Sequence, residues 1–202
     1  MQCREQALET MHDVQQILKL LVNLVGGENE DTHYFLQLAL KGVLEKVLQW
    51  NDPRNLMAEA TTCYYALEID VLLMKIFFNL VNSGEVFDYG EQLASQQDFW
   101  ILERFASLLS NAKLDVRREA LTFFTSLMRQ LKGHAKDTVL ERLDLIRSAL
   151  YMLTHDSSTI AIVLTLALLE SCFYYEAENL QRKLRRWEKN GEEVGTNPDW
   201  AL

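Results

Sequence analysis

The sequence DSSTIAIVLTLALLESCFYYEAENLQRKLRRWEK, residues 156–189, decides the predicted fold. From residue 160 to residue 175 every face of a helix would be apolar, apart from Thr165, Glu170 and Ser171. A helix that is apolar all round is either buried by neighbours on several sides or lies in a membrane. Beyond this run the stretch becomes polar and basic. It therefore predicts one long helix, buried centrally in its first half and solvated in its second.

A membrane location does not suit this helix. A membrane span needs about 18–20 apolar residues. The uninterrupted run here is ten residues, Ile160–Leu169, and Glu170 follows it. We therefore expect a core helix and no membrane partner. A charge placed in its centre, as in Leu166→Asp, is expected to abolish folding.

The composition favours an all-α fold. The chain has 202 residues, about half of them apolar, with only 8 Gly and 2 Pro. Such low usage of turn residues indicates long, uninterrupted elements. The commonest residues are good helix formers, and no convincing period-two alternation predicts a strand.

The cysteines and the first residues indicate an intracellular, reducing environment, cytoplasmic or nuclear. Cys3, Cys63 and Cys172 are widely spaced and form neither a disulfide framework nor a zinc motif. The first residues lack the apolar segment of a signal peptide.

Charge is distributed unevenly along the chain. The formal net charge is −9, with 6 basic and 15 acidic residues in the first hundred, and 14 of each in the remainder. An acidic first half argues against a nucleic-acid surface there. It would suit a basic partner, or simply keep the chain soluble.

Apolar residues at spacings of three and four define the expected helices. In chain order these are residues 3–25, 31–50, 53–81, 89–95, 98–111, 115–132, 137–153 and 156–189. Whether 53–81 is one helix or two stays open. We expect one helical domain over residues 1–189 and a flexible tail over 190–202.

Two helices make specific predictions about burial. Helix 31–50 is expected to bury Val43 among its apolar residues. The residues expected to face inward from helix 137–153 are Leu140, Leu143, Ile146, Leu150 and Leu153.

Residues 98–187 read as two units of about 40 residues, each a helix, a short turn and a second helix. In the first unit, LLSNAKLDVRREALTFFTSL (108–127) places Asp115 at the start of the second helix and Arg117 or Arg118 ahead of an Ala-Leu pair. This segment resembles an armadillo or HEAT repeat, with the match extending over residues 108–131. The second unit has an Asp-Ser-Ser turn and lacks the Arg.

The resemblance implies an armadillo/HEAT-like right-handed stack of about seven or eight helices. It also implies a scaffold or adaptor, which binds a peptide or helix of another protein along successive second helices and carries out no catalysis. An irregular helical bundle is the alternative architecture.

No pattern in the sequence predicts an enzyme, a cofactor or a metal site. The four histidines, His12, His33, His134 and His155, include no HExxH motif and no i, i+4 pair. Phosphate-binding loops and nucleophile motifs are also missing from the sequence.

The second helix of the first unit supplies one candidate partner site. Arg118, Thr122, Thr125 and Arg129 share its outer face, opposite the core residues. In an armadillo-like stack this face would look onto the concave surface, so we expect it to bind a partner. An ordinary solvated face is the alternative.

The basic arm at residues 182–189 supplies a second candidate, through Arg182, Arg185, Arg186 and Trp187. The arginines could pair with an acidic protein partner or with phosphate while the indole stacks. They could also simply complement the helix dipole. Two alternative functions follow. One is a domain that self-associates as a homodimer through an apolar helix face, and the other, less favoured, is a nucleic-acid-associated subunit that uses this arm.

Overall fold

The computed structural model describes residues 2–26, 42–51, 60–82 and 89–190, and the side chains of 8–26, 42–51, 64–82 and 89–174. Within these ranges the chain is all-α, as predicted. The helices are α1 (Gln2–Val25), α2 (residues 42–50), α3 (Ala60–Asn82), α4 (Tyr89–Leu93), α5 (Phe99–Ser107), α6 (Leu114–Gln130), α7 (Gly133–Leu143), α8 (Leu145–His155) and α9 (Thr159–Asn190).

Four long helices form one layer in chain order, because α1 packs on α3, α3 on α6, and α6 on α9. Asn79 of α3 donates to the carbonyl of Val22, 57 residues earlier, across 3.4 Å. Lys75 of α3 lies 3.4 Å from Glu119 of α6. Within the described part of the chain the extensive contacts of this layer are between consecutive members, which is the organisation of a repeat stack.

Contacts at both ends of α6 show that it runs parallel to α9. The Arg117 guanidinium lies 2.7 Å from the Asp156 carboxylate, just ahead of α9. Further along both helices, Arg129 lies 3.4 Å from Glu170. Parallel neighbours need a returning helix between them, and α7 and α8 supply the return, with α8 packed on α9.

A buried polar network joins α2, α3 and α5. Arg104 of α5 donates to Asp70 of α3 at 2.9 and 3.0 Å, and to the Asn51 carbonyl at 2.6 Å. Asn51 donates in turn to Asp70 at 2.7 Å. The network holds α2 and α5 against the same point on α3.

Aromatic rings fill the centre of the stack. Phe77 of α3 meets Phe105 of α5 edge to face at 5.6 Å, and Phe105 meets Phe123 of α6 at 5.4 Å. Phe124 is also fully buried, 5.2 Å from Phe123. Such pairs add about 0.5–1.5 kcal/mol each beyond the apolar area they bury.

The prediction of an all-round buried helix at 160–175 is wrong. One face of α9 is buried, at Ala161, Thr165, Leu168 and Cys172. The opposite face is about half exposed at Ile160, Val163, Leu166, Phe173 and Tyr174. Among the described helices α9 is the last member of the layer, and only α6 and α8 make extensive contacts with it. None of the described helices is long and apolar enough to cross a membrane.

The single helix predicted over 137–153 is also wrong. Asp144 adopts a left-handed conformation, with φ 48° and ψ 41°, and separates α7 from α8. Because the helix is interrupted here, the residues after Asp144 turn a different face toward the core. The buried residues of this segment are Val139, Leu145, Ala149 and Met152. Leu150, predicted to face inward, is half exposed, and the other four predicted positions are partly buried.

Other helix boundaries follow the sequence closely. The described residues of the third predicted helix form one continuous α3, and the short helix predicted at 89–95 is α4. Val43 was expected in the core, but it is half exposed while Leu44 and Leu48 are buried. Residues 27–41, 52–59, 83–88 and 191–202 lie outside the described residues, and so does most of the predicted tail.

Candidate functional site

A groove of about 470 Å³ lies between α3 and α6, with Lys19 of α1 also contributing to its wall. Both helices place charged residues along this groove because the opposite faces of α3 and α6 are occupied by the phenylalanine core. The charged lining residues are Lys19, Glu68, Lys75, Lys113, Asp115, Arg118 and Glu119. Arg118 is among them, and its role in binding a partner stays a prediction.

Ion pairs position the cations at the centre of this groove. Glu119 lies 3.4 Å from Lys75 and 3.3 Å from Arg118, while Asp115 lies 3.5 Å from Arg118. All four side chains keep contact with water, so each pair contributes only about 0–1 kcal/mol to folding. Arg118 keeps about half of its side chain exposed within these pairs.

A tyrosine and a glutamate form the other end of the groove. Tyr64 donates its hydroxyl to Glu68, which also accepts a hydrogen bond from Gln15 of α1. The hydrogen bond to Glu68 and the charge of this carboxylate raise the pKa of Tyr64 above its ordinary value. The ammonium group of Lys113 lies over the Tyr64 ring, 4.7 Å from its centroid, as in cation–π pairs.

The remaining predicted residues of α6 lie along the same helix but outside the groove lining. Thr122 donates to the Arg118 carbonyl at 2.9 Å, and Thr125 to the Leu121 carbonyl at 2.7 Å. Both hydroxyl hydrogens are therefore used within the helix. Arg129 is half exposed and pairs with Glu170 of α9 at 3.4 Å.

The second predicted site, the basic arm, belongs to the helical backbone of α9, which continues to Asn190. The side chains of Arg182, Arg185, Arg186 and Trp187 lie outside the described residues. Their role in binding stays a prediction.

A second groove, of about 620 Å³, lies between the α5–α6 turn and α8. Tyr151 and His155 stack on its α8 side, with ring centroids 4.0 Å apart and planes within 14°. Arg147 lines the groove and is 86% exposed. None of the predicted partner residues whose side chains are described, Arg118, Thr122, Thr125 and Arg129, lines this groove.

The described side chains offer charge and hydrogen bonds for binding. No cluster of three or more potential metal ligands occurs among them. Burial raises the pKa of the Cys172 thiol to about 11, and nearby Lys136 opposes this shift only in part. A thiol held protonated at neutral pH is a poor nucleophile.

Sequence reasoning missed most of the groove. Lys19, Tyr64, Lys75 and Lys113 come from different segments that only the packing of α1, α3 and α6 brings together. One signal was available, because Lys75 is the single charge in the apolar run from 71 to 81.

The described part of the chain is a helical stack, in which parallel helices are joined by returning helices. It carries an open, charged groove. No family model and no curated protein matches the chain. Among solved structures it is similar to a designed armadillo repeat protein in complex with the peptide (KR)4. The two chains share 14% identity over 82% of this chain and 80% of the other, with a TM-score of 0.42.

Proposed function

We propose that this chain is a non-enzymatic, armadillo-like scaffold that binds an acidic segment of another protein in the groove between α3 and α6. The observation that carries the proposal is the set of four cations that line this groove, Lys19, Lys75, Lys113 and Arg118. They stand on three neighbouring helices of a chain whose net charge is −9.

The balance of charge inside the groove favours an acidic occupant. Its acidic side chains already have partners: Glu119 and Asp115 pair with cations, and Glu68 accepts two hydrogen bonds. Lys19 and Lys113 add two exposed positive charges. A carboxylate entering between α1 and α6 would therefore meet more positive charge than negative.

The shape of the groove favours an extended peptide or a single helix. Its volume of about 470 Å³ lies in the range of ligand clefts. Because it runs between parallel helices, the polar face of α6 continues it through Thr122, Thr125 and Arg129. A partner longer than the groove would contact this face as well.

The test is affinity purification from the source cells, read by mass spectrometry. Wild type is compared with Lys113→Glu/Arg118→Glu, which reverses two groove charges. A matched control, Lys132→Glu/Arg147→Glu, makes the same change in net charge at exposed positions outside the groove. We expect a partner that wild type and the control retain and the groove variant loses.

Direct binding then tests the charge of the ligand. A fluorescent Glu-rich peptide from the recovered partner should bind with an affinity that falls as salt rises. Retention of the partner by a folded groove variant would overturn the site. Binding of a labelled (KR)4 peptide in place of the acidic one would overturn the acidic assignment and leave the scaffold function standing.

A further inference from the structure

The outer face of α9 is an apolar surface at the end of the stack. At 100° per residue, Ile160, Val163, Leu166, Phe173 and Tyr174 fall on one side of the helix, with Ala167 among them. The five large side chains are all at least half exposed. Between residues 159 and 174 the only charged residue is Glu170.

The position of this face in the layer makes its composition unusual. α3 covers α1, α6 covers α3, and α9 covers α6, whereas among the described helices no further member of the layer packs on α9. Terminal repeats of a stack normally present a polar outer face for solubility. At the other end of the layer α1 also exposes three apolar side chains, Ile17, Leu20 and Leu24. On α9 the exposed set numbers five and includes two aromatic rings, which indicates a surface that another molecule covers.

The exposed area is sufficient for an interface. Taking about 200 Å² for a fully exposed side chain of this size, five half-exposed side chains leave on the order of 500 Å². That is at the upper end of the largest apolar patch found on monomers, roughly 300–600 Å². It supplies more than half of the roughly 800 Å² that each partner contributes to a standard interface.

We infer that a second copy of this chain covers this face, with the two α9 helices packed antiparallel about a two-fold axis between Leu166 and Ala167. In this register Leu166 of each copy meets the small Ala167 of the other, so the backbones can approach. Ile160 meets Phe173 in the same way. The face is therefore complementary to itself, as an isologous interface requires.

Glu170 lies within this face. Its carboxylate lies 3.4 Å from Arg129 of the same chain, so it would enter the interface as one member of an ion pair. The groove residues Lys113 and Arg118 belong to other surfaces, so charge reversal at these two residues leaves the α9 face unchanged.

The test is the mass of the intact chain in solution, measured by light scattering over a range of concentrations. We expect twice the chain mass of 23.4 kDa. Leu166→Glu should return the protein to one chain mass while its circular dichroism and melting temperature stay near those of wild type. Leu20→Glu changes an equally apolar residue of α1 that is 70% exposed, and this control should remain dimeric.

Each other outcome overturns the inference. Wild type at one chain mass would leave the face to a different molecule. A dimer that survives Leu166→Glu would place the interface elsewhere. Loss of the dimer in both variants would indicate head-to-tail contact between α9 and α1.

Cross-linking keeps the inference testable if Leu166→Glu fails to fold. Because residue 167 lies beside its own copy at a two-fold axis, oxidation of Ala167→Cys should give a disulfide-linked dimer in high yield. The parent chain and Leu20→Cys, oxidised in parallel, give the background from the natural cysteines. A yield no higher than this background would overturn the antiparallel register.

Discussion

The guanidinium of Arg117 lies 2.7 Å from the carboxylate of Asp156, and this pair fastens α6 to the turn that begins α9. Arg117 also donates to the carbonyls of Asn111 and Ala112, at 2.7 and 2.9 Å, in the turn before α6. One side chain therefore joins the turns of two successive units. The repeat motif allowed Arg117 or Arg118 at this place, and the structure selects Arg117.

Removal of this side chain should loosen the last unit. Both members are largely buried, so Arg117→Ala is expected to lower the free energy of unfolding by about 1–3 kcal/mol. Arg118→Ala, one residue further on and half exposed, should change it by less than about 0.5 kcal/mol. Urea denaturation followed by circular dichroism measures both, and equal effects would contradict the assignment.

Asp156 should also make the stability of the protein depend on acid. The N–H of Ser158, which donates at 2.9 Å, is the main cause that holds the pKa of Asp156 below its ordinary value of 3.8; burial opposes this, and Arg117 adds to it. A lowered pKa in the folded state gives stability that is present above the ordinary value and lost as the pH falls through the folded value.

In urea titrations at a series of acidic pH values, Asp156→Asn should therefore lose less stability on acidification than wild type does. If the stability of Asp156→Asn fell with pH as steeply as that of wild type, the lowered pKa of Asp156 in the folded state would be contradicted.

The network around Asp70 should be the most sensitive polar site. Arg104→Ala removes the cation that compensates this buried carboxylate, and loss of one member of a buried ion pair costs about 3–5 kcal/mol. Arg147→Ala, which removes an 86% exposed guanidinium, should cost less than about 0.5 kcal/mol. A comparison of the two urea midpoints tests this difference.

Two leucines of α9, two positions apart, separate its buried and exposed faces. Leu168 is 0% exposed, so Leu168→Ala should cost about 2–5 kcal/mol. Leu166 is 52% exposed, so Leu166→Ala should cost less than about 1 kcal/mol in the monomer. For the same reason Leu166→Asp should fold, contrary to the expectation from sequence. Thermal melts at low protein concentration, where self-association is minimal, test both leucines.

Two left-handed residues around α7 should respond in opposite directions. Asp144 has φ 48°, so Asp144→Gly should relieve strain and stabilise the protein by about 0.5–1 kcal/mol. Gly133 has φ 50°, and an added Cβ would meet nothing within 4 Å. Gly133→Ala should therefore cost about 1–2 kcal/mol through backbone strain alone. In differential scanning calorimetry we expect a higher melting temperature for Asp144→Gly and a lower one for Gly133→Ala than for wild type. Shifts of the same sign would contradict this prediction.

The positions of the helices were largely predictable because local signals determine them. Phe99, Leu102 and Phe105, spaced by three residues, are buried in α5, and Val116, Ala120 and Leu127, spaced by four and seven, are buried in α6. The break at Asp144 was missed because no Gly or Pro marks it. Left-handed backbone at an Asp is a cost that the packing of α7 and α8 must offset.

The candidate site was predictable only in part. Arg118 could be placed on an outer face from helical period alone. Its groove depends on Lys19, Lys75 and Lys113, which are brought together by the packing of α1, α3 and α6. Side chains from segments so far apart in sequence have no periodic relation that a single chain reveals.

The sequence by itself determined that this protein is all-α and where most of its helices begin and end, since helix propensity, capping and apolar period act over a few residues. Tertiary structure alone decided which face is buried in a helix that is apolar on every side, such as the first half of α9. An apolar run such as 160–169 is compatible with a helix packed by one neighbour and with a helix packed by several. The number of neighbours, which the run does not encode, decides how much of it is buried. Because α9 lies at the end of the described layer, one of its faces is in the core and the other is in contact with solvent.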